Sequence, residues 1–182
     1  MNKKLLKLGI IIGLIILLLI LIWFLTKDSE VDFVEYTPVE EITEEQSRQT
    51  MVKLYFKNKE TGDLDTETRL IDVKNLANNP YKVLLNMLIE GPKNEKLERL
   101  IPEDTKTNKV ELQKNVVVID FFEGFIKNHL DGAEEESKTI YSIVNTLTEL
   151  TEVDGVKILI NGEEGKAFLD EAINFKEVFV RK

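Results

Sequence analysis

The side chains able to do chemistry fall in a few short stretches. The single histidine, His129, lies in KNHLDG with Asp131 two residues on. An imidazole beside a carboxylate could serve as a general base. No nucleophile elbow of the G-x-S-x-G type accompanies it and the chain has no cysteine, so His129 reads as a surface-turn residue. Asp120 and Glu123 flank the end of an apolar stretch. Paired carboxylates hydrolyse glycosides when roughly 5–10 Å apart, which makes a peptidoglycan hydrolase the enzyme to consider. With 33 acidic residues in the chain, however, spacing gives this pair no priority over others. Asp131 to Glu136 (DGAEEE) gathers the oxygen ligands that Ca²⁺ requires, but not at the spacing of a calcium loop. Glu134, Glu135 and Glu136 instead suit the first turn of a helix, where the dipole favours negative charge.

Two further groups point to structure. Glu67 and Arg69 stand two apart in a strand-like stretch, so their side chains share one face. They form either a solvated ion pair of little worth or a partly buried pair that fixes strand register or a partner surface; the structural reading is preferred. In SIVNTLTELTEVDGVKILING, Ser142 to Gly162, the polar residues Asn145, Thr146, Thr148 and Thr151 interrupt an apolar helical spacing. The expectation is that Asn145 or Thr146 hydrogen-bonds a neighbouring loop or its own helix. No P-loop, dinucleotide fingerprint or zinc signature is present, so no cofactor, metal or catalytic residue is assigned.

The elements that position these groups follow from hydropathy. MVKLYFKN alternates from Met51, with Val52, Leu54 and Phe56 on one face, as a half-buried strand does. LDTETRLIDV is a second strand, joined to the first through a turn within Lys59 to Asp63. Asn79-Pro80 opens a helix, Asn as cap and Pro at its first position. Gly91-Pro92 closes that helix. NEKLERLIP reads as one more helical turn ended by Pro102. TNKVELQ and the apolar VVVIDF at Val116 to Phe121 give two strands about a turn at Lys114-Asn115, the second covered on both faces. A helix over Glu134 to Leu150 and a strand over Val156 to Ile160 complete the order β-β-α-β-β-α-β, and FKEVFVRK is a candidate short edge strand. The expected fold is α+β: a two-layer domain with a mixed four- or five-stranded sheet and two helices on one face.

The first 27 residues hold four lysines and no acids. An uncharged apolar run from Leu8 to Leu25 would rise roughly 27 Å as a helix, near the ~30 Å of a bilayer core. It is too long for the apolar core of a cleaved leader. The reading is a transmembrane anchor with Trp23 at its far interface and the lysines in the cytoplasm. Residues 28–50 carry eight acids and one arginine and read as an acidic flexible tether; residues 51–182 form the domain. Beyond residue 27 the chain has 20 basic and 33 acidic residues, a net charge of −13. Such a surface repels nucleic acid and favours cationic partners.

In sequence order, LYF, ETR (Glu67 to Arg69), LIEGP (Leu88 to Pro92), LERLIPEDT (Leu97 to Thr105), VVVIDF, VNTLTEL (Val144 to Leu150) and VKILING (Val156 to Gly162) resemble the GerMN domain of spore-formation and spore-germination proteins. The resemblance covers about residues 51–175. It implies a structural, non-enzymatic domain on the outer side of the bacterial membrane, with no assigned catalytic residues and an α/β fold like that of ring-building modules. The partners it implies are other envelope or sporulation proteins, with self-association and peptidoglycan as further candidates and the membrane contacted through residues 8–25. The best-known member carries two such domains in tandem and this chain one, and no cysteine follows the apolar run to take a lipid. The residues singled out for structure or partner contact are Glu67, Arg69, Gly91, Pro92, Pro102, Asp120, Asn145, Thr146 and Gly162.

Overall fold

The structure is a computed structural model that describes Ile12, residues 14–23, 48–129, 132–169, Glu171 and residues 173–182. It divides into two units, Met1–Glu41 and Ile42–Lys182. In the first, residues 14–23 are helical (α1) with exposed side chains. Among the described residues no helix is long and apolar enough to cross a membrane. The rest of the apolar run expected to span the bilayer, and residues 28–47 of the expected tether, lie outside the described residues.

The second unit is α+β, but its strands form two sheets and not one. β1 (Gln49–Asn58) pairs antiparallel with β2 (Leu64–Asp72) along its whole length and with β3 (Leu97–Glu98) only at Lys57 and Asn58. β4 (Thr107–Gln113), β5 (Val116–Phe121) and β6 (Gly155–Ile160) make the second sheet, with β5 central, antiparallel to β4 and parallel to β6. The helices are α2 (Val73–Leu76), α3 (Pro80–Glu90), α4 (Gly124–Lys127) and α5 (Ala133–Leu147).

Local chemistry accounts for most of these boundaries. Asn79 caps α3 by accepting from the Lys82 amide at 2.9 Å with Pro80 at the first position, and Gly91 ends it at φ 91°. That positive φ is what favours glycine here, since a Cβ on Gly91 would meet only the flexible end of the Arg99 side chain, its Nε at 2.8 Å. Lys114 takes φ 57° in the tight turn between β4 and β5. Leu97–Glu98 is a strand where a helical turn was expected, because its two residues pair with the end of β1. Pro102 opens the turn that follows, its carbonyl accepting from the Thr105 amide at 3.1 Å. The C-terminal stretch makes an edge contact of one antiparallel bridge, Val156 with Phe179.

Both sheets contribute to one apolar core. Val52, Leu54 and Phe56 from β1, Leu84, Leu85 and Leu88 from α3, Val117, Ile119 and Phe121 from β5, and Ile140, Ile143, Val144 and Leu147 from α5 are all buried in it. An aromatic group extends it, with Phe121 stacked on Phe125 at 4.1 Å between centroids and Phe168 and Phe175 beside them. Opposite β2, the edge of β1 meets β3 at Lys57 and Asn58 and α5 at Tyr55.

Candidate functional site

Glu67 and Arg69 project from β2 on the face that buries Leu54 and Val52, their partners across the β1–β2 ladder. Both are buried, at 9% and 6% exposure. The Arg69 Nε donates to Glu67 Oε1 at 2.6 Å and its Nη2 to the Gly91 carbonyl at 2.6 Å. The other carboxylate oxygen, Glu67 Oε2, accepts from the main-chain amides of Lys93 and Asn94 at 2.9 and 2.8 Å. The guanidinium also lies 5.6 Å from the Phe56 ring centroid, within cation–π range. Glu67, Arg69, Gly91 and Pro92 are therefore parts of one device: a buried charge pair that clips the loop after α3 onto β2. Burial pushes the Glu67 carboxyl up, but the Asn94 amide, the Arg69 guanidinium and the Lys93 amide outweigh it and hold the group below the usual carboxylate range.

Asp120 and Glu123 have separate structural partners. Asp120 Oδ1 accepts from the Gly162 amide at 2.8 Å and so fixes the turn after β6. In that turn Asn161 and Gly162 sit at φ 51° and 78°, between the mutually bonded Ile160 and Glu163. Replacing Asp120 with alanine is expected to cost about 1 kcal/mol, the net worth of one such bond, measurable as a lower urea midpoint at unchanged slope. Glu123 is exposed and pairs with Lys127 at 2.7 Å.

His129 is not a surface residue. It is 8% exposed, its ring lies 4.6 Å from that of Phe168, and its Nε2 is 2.6 Å from Thr139 Oγ1. The apolar body of an imidazole packs well against aromatic rings, and the polar sequence around His129 conceals that preference. Thr139 Oγ1 also lies 3.2 and 3.0 Å from the carbonyls of Leu100 and Glu135, so the histidine tethers the start of α5. Of the acidic run, Asp131 lies outside the described residues, Glu134 pairs with Lys138 at 2.6 Å, and Glu135 pairs with Lys57 at 2.9 Å. Among the described residues no group of three or more His, Cys, Asp or Glu side chains is placed to hold a metal ion.

The polar face of α5 has an unexpected use. Ser142 and Thr146, one helical turn apart, are 1% and 0% exposed. Ser142 Oγ donates to the Tyr55 carbonyl at 2.6 Å, and the Tyr55 amide donates to Thr146 Oγ1 at 3.1 Å. Two hydroxyls on a helix thus satisfy both main-chain groups of one strand residue, the task of a neighbouring strand. Thr146 is hydrogen-bonded, but its partner is the strand β1 and not the loop or the helix of its own that was expected. Asn145 is 8% exposed with its Oδ1 unpaired.

Beyond Thr146 the helix ends and leaves β1, opening a cavity of about 330 Å³ lined in part by Val52, Lys53, Leu84, Glu149 and Leu150. Glu149 forms its rim. Its carboxylate accepts from the Tyr55 hydroxyl at 2.8 Å and from Lys53 Nζ at 3.2 Å, and pairs with Arg181. Burial raises the Glu149 pKa, but Arg181, Tyr55 and Lys53 together bring it down to about 2. A depressed carboxyl stabilises the fold above its unfolded pKa, about 4.3, and that contribution is lost as the pH falls towards 2. Carbon-detected NMR titration should find Glu149 at about 2, and Arg181→Ala should move it towards the ordinary value.

Sequence reading missed Ser142, Tyr55, Glu149 and Arg181. A signal existed for the first: Ser142 and Thr146 are spaced i, i+4 on the otherwise apolar side of α5. For Tyr55, Glu149 and Arg181, separated by 94 and 32 residues, none did.

A family model, Germane: Sporulation and spore germination, matches residues 53–166. The spore germination protein GerM of Bacillus subtilis (strain 168) is 36% identical over 90 residues, covering 47% of this chain and 24% of that protein. The chain thus spans about a quarter of the length of this relative. The first GerMN domain of the sporulation protein GerM from Bacillus subtilis superposes with a TM-score of 0.61 at 25% identity, over 72% of this chain and 98% of that one. The tandem GerMN domains of the same protein give 0.59 at 23% identity, over 75% of this chain and 46% of that one, a likeness of fold.

Proposed function

Since the chain belongs to the Germane family of sporulation and spore germination domains, we propose that it is a non-enzymatic assembly module of the bacterial cell envelope, held at the membrane by its N-terminal apolar run and acting by docking to other proteins. The observation that carries this reading is where the polar residues go. Glu67, Arg69, Asp120, Ser142 and Thr146 all engage main-chain groups of their own domain. A domain whose buried polar groups are used in this way is a rigid scaffold, and a scaffold acts through its surface. Tethering makes weak surface contacts sufficient, because it converts a search in three dimensions into a local one at high effective concentration.

The test is crosslinking in cells with photoreactive side chains at exposed positions of the domain, followed by identification of what is attached. Adducts with envelope or sporulation proteins are expected. If no position yields a protein adduct and the chain instead sediments with purified peptidoglycan, it is a wall-binding module. Unchanged spore yield on deletion in a spore-forming host would remove the sporulation role. Retention of the chain in the membrane fraction after alkaline carbonate extraction tests the anchor; release would overturn it.

A further inference from the structure

The edge of β1 that faces α5 has an unequal cover. Asn58 directs its amide to Asp63 on the β2 side, whereas Lys59 donates to Lys96 and Tyr55 bonds to α5, so residues 55, 57 and 59 direct their main-chain groups away from β2. Main-chain direction alternates along a strand, and the β1–β2 register has no irregularity. Met51 and Lys53 therefore present their amides and carbonyls on this same edge. Among the described residues no segment bonds to them there. An edge of this kind accepts another strand.

The surroundings specify that strand further. The cavity beside this edge is floored on the core side by Val52, Leu84 and Leu150, whereas Lys53 and Glu149 stand on the outer side. Side chains of an added strand alternate between these two sides. One would enter the apolar cavity, and the next would meet the Glu149 carboxylate. Lys53 and Arg181 hold that carboxylate now, but their side chains are 44% and 42% exposed, and ion pairs of such exposed cations contribute little, so a further cation can share the carboxylate or replace one of them. The domain agrees in charge, because residues 51–182 carry 25 acidic and 19 basic side chains. Thr146 and Ser142 close the edge at Tyr55, which limits the pairing to about two residues of the ladder.

We propose that the edge of β1 at Met51 and Lys53 is a strand-addition site for an extended segment of a partner protein in which an apolar residue alternates with a basic one. The proposal rests on the docking function above and names where and how it occurs. The contact is short and weak by itself, which suits a partner presented at the same membrane.

Hydrogen exchange of the full chain in detergent solution tests it, with an eight-residue peptide alternating valine and lysine as probe. Exchange of the Met51 and Lys53 amides should slow, while those of Val52 and Leu54, already paired with β2, should not change. A peptide alternating valine and glutamate should protect less. Lys53→Pro removes an amide from the free edge together with the ion pair to Glu149, so it is compared with Lys53→Ala, which removes the ion pair alone; relative to that variant it should weaken peptide binding about threefold to tenfold, the worth of one main-chain hydrogen bond. Glu149→Gln should reduce the preference for the basic peptide. Absence of protection, or equal binding by Lys53→Pro and Lys53→Ala, would overturn the site. In cells, a photocrosslinker at Met51 should attach a partner through such a segment, with one at Leu169 for comparison. Adducts at Leu169 but not at Met51 would refute strand addition and leave the docking function standing, and adducts at neither would count against docking itself. An adduct at Met51 with a second copy of the chain would replace the proposed occupant.

Discussion

Replacing Arg69 with leucine is expected to destabilise the domain by about 3–5 kcal/mol, the usual cost of removing one partner from a buried ion pair. The loss has three sources. The Glu67 carboxylate stays buried without its counter-charge, the Gly91 carbonyl loses its donor, and the contact with the Phe56 ring disappears. The loop after α3 should loosen first, since both Gly91 and the Lys93–Asn94 amides are anchored to this pair. The double replacement of Glu67 and Arg69 by leucine should cost less than the sum of the single ones, because no charge is then left unpaired. Urea unfolding followed by circular dichroism, run as a double-mutant cycle, measures both effects. A loss under 1 kcal/mol for Arg69→Leu would show the pair to be incidental. The sign of the pH effect is also set. Glu67 is held below its ordinary pKa, so its contribution is present above its unfolded pKa and is lost as acid protonates it in the folded state. Wild type should therefore lose stability on acidification more steeply than the double-leucine variant.

What the sequence made legible divides along the range of the interactions. The hairpin β1–β2, the capped helix α3, the hairpin β4–β5 and the strand β6 are encoded by local alternation and by Asn, Pro and Gly at the positions where caps and turns need them. The shared face of Glu67 and Arg69 was legible for the same reason, since two residues apart on a strand means one side. What the pair does was not, because Gly91 and Asn94 are 22 and 27 residues away from their partners. The division into two sheets was hidden more deeply. Strand patterns say which residues are extended but not which edge meets which. At Tyr55 the free edge of β1 is satisfied by two hydroxyls on a helix that looked ordinary. Leu97–Glu98 was misread because two residues are too few for any periodicity. His129 was misplaced because its neighbours are polar, while the rings that bury it come from residues 125 and 168.

The second large effect tests that hidden edge. Thr146→Val keeps the shape of the side chain but leaves the Tyr55 amide without an acceptor, and Ser142→Ala leaves its carbonyl without a donor. A buried main-chain group stripped of its partner costs about 1–3 kcal/mol, so the double variant should lose about 2–4 kcal/mol. That is more than exchanging one hydroxyl for a methyl group and removing another hydroxyl would explain by volume. Thr146→Ser retains the acceptor and should recover most of the loss, which separates pairing from packing. The Tyr55 amide should exchange with solvent at nearly the rate of global unfolding in the wild type and much faster in Thr146→Val, while Leu54 and Phe56, bonded to β2, stay protected. If Thr146→Val leaves Tyr55 protected, shape alone holds α5 against β1 and the hydroxyls are accessory. If protection is lost as expected, the open edge of β1 extends from Met51 and Lys53 to Tyr55. An alternating peptide should then pair over one more residue and bind the weaker-folding variant more tightly than the wild type. A cavity defect without an edge would not produce that reversal.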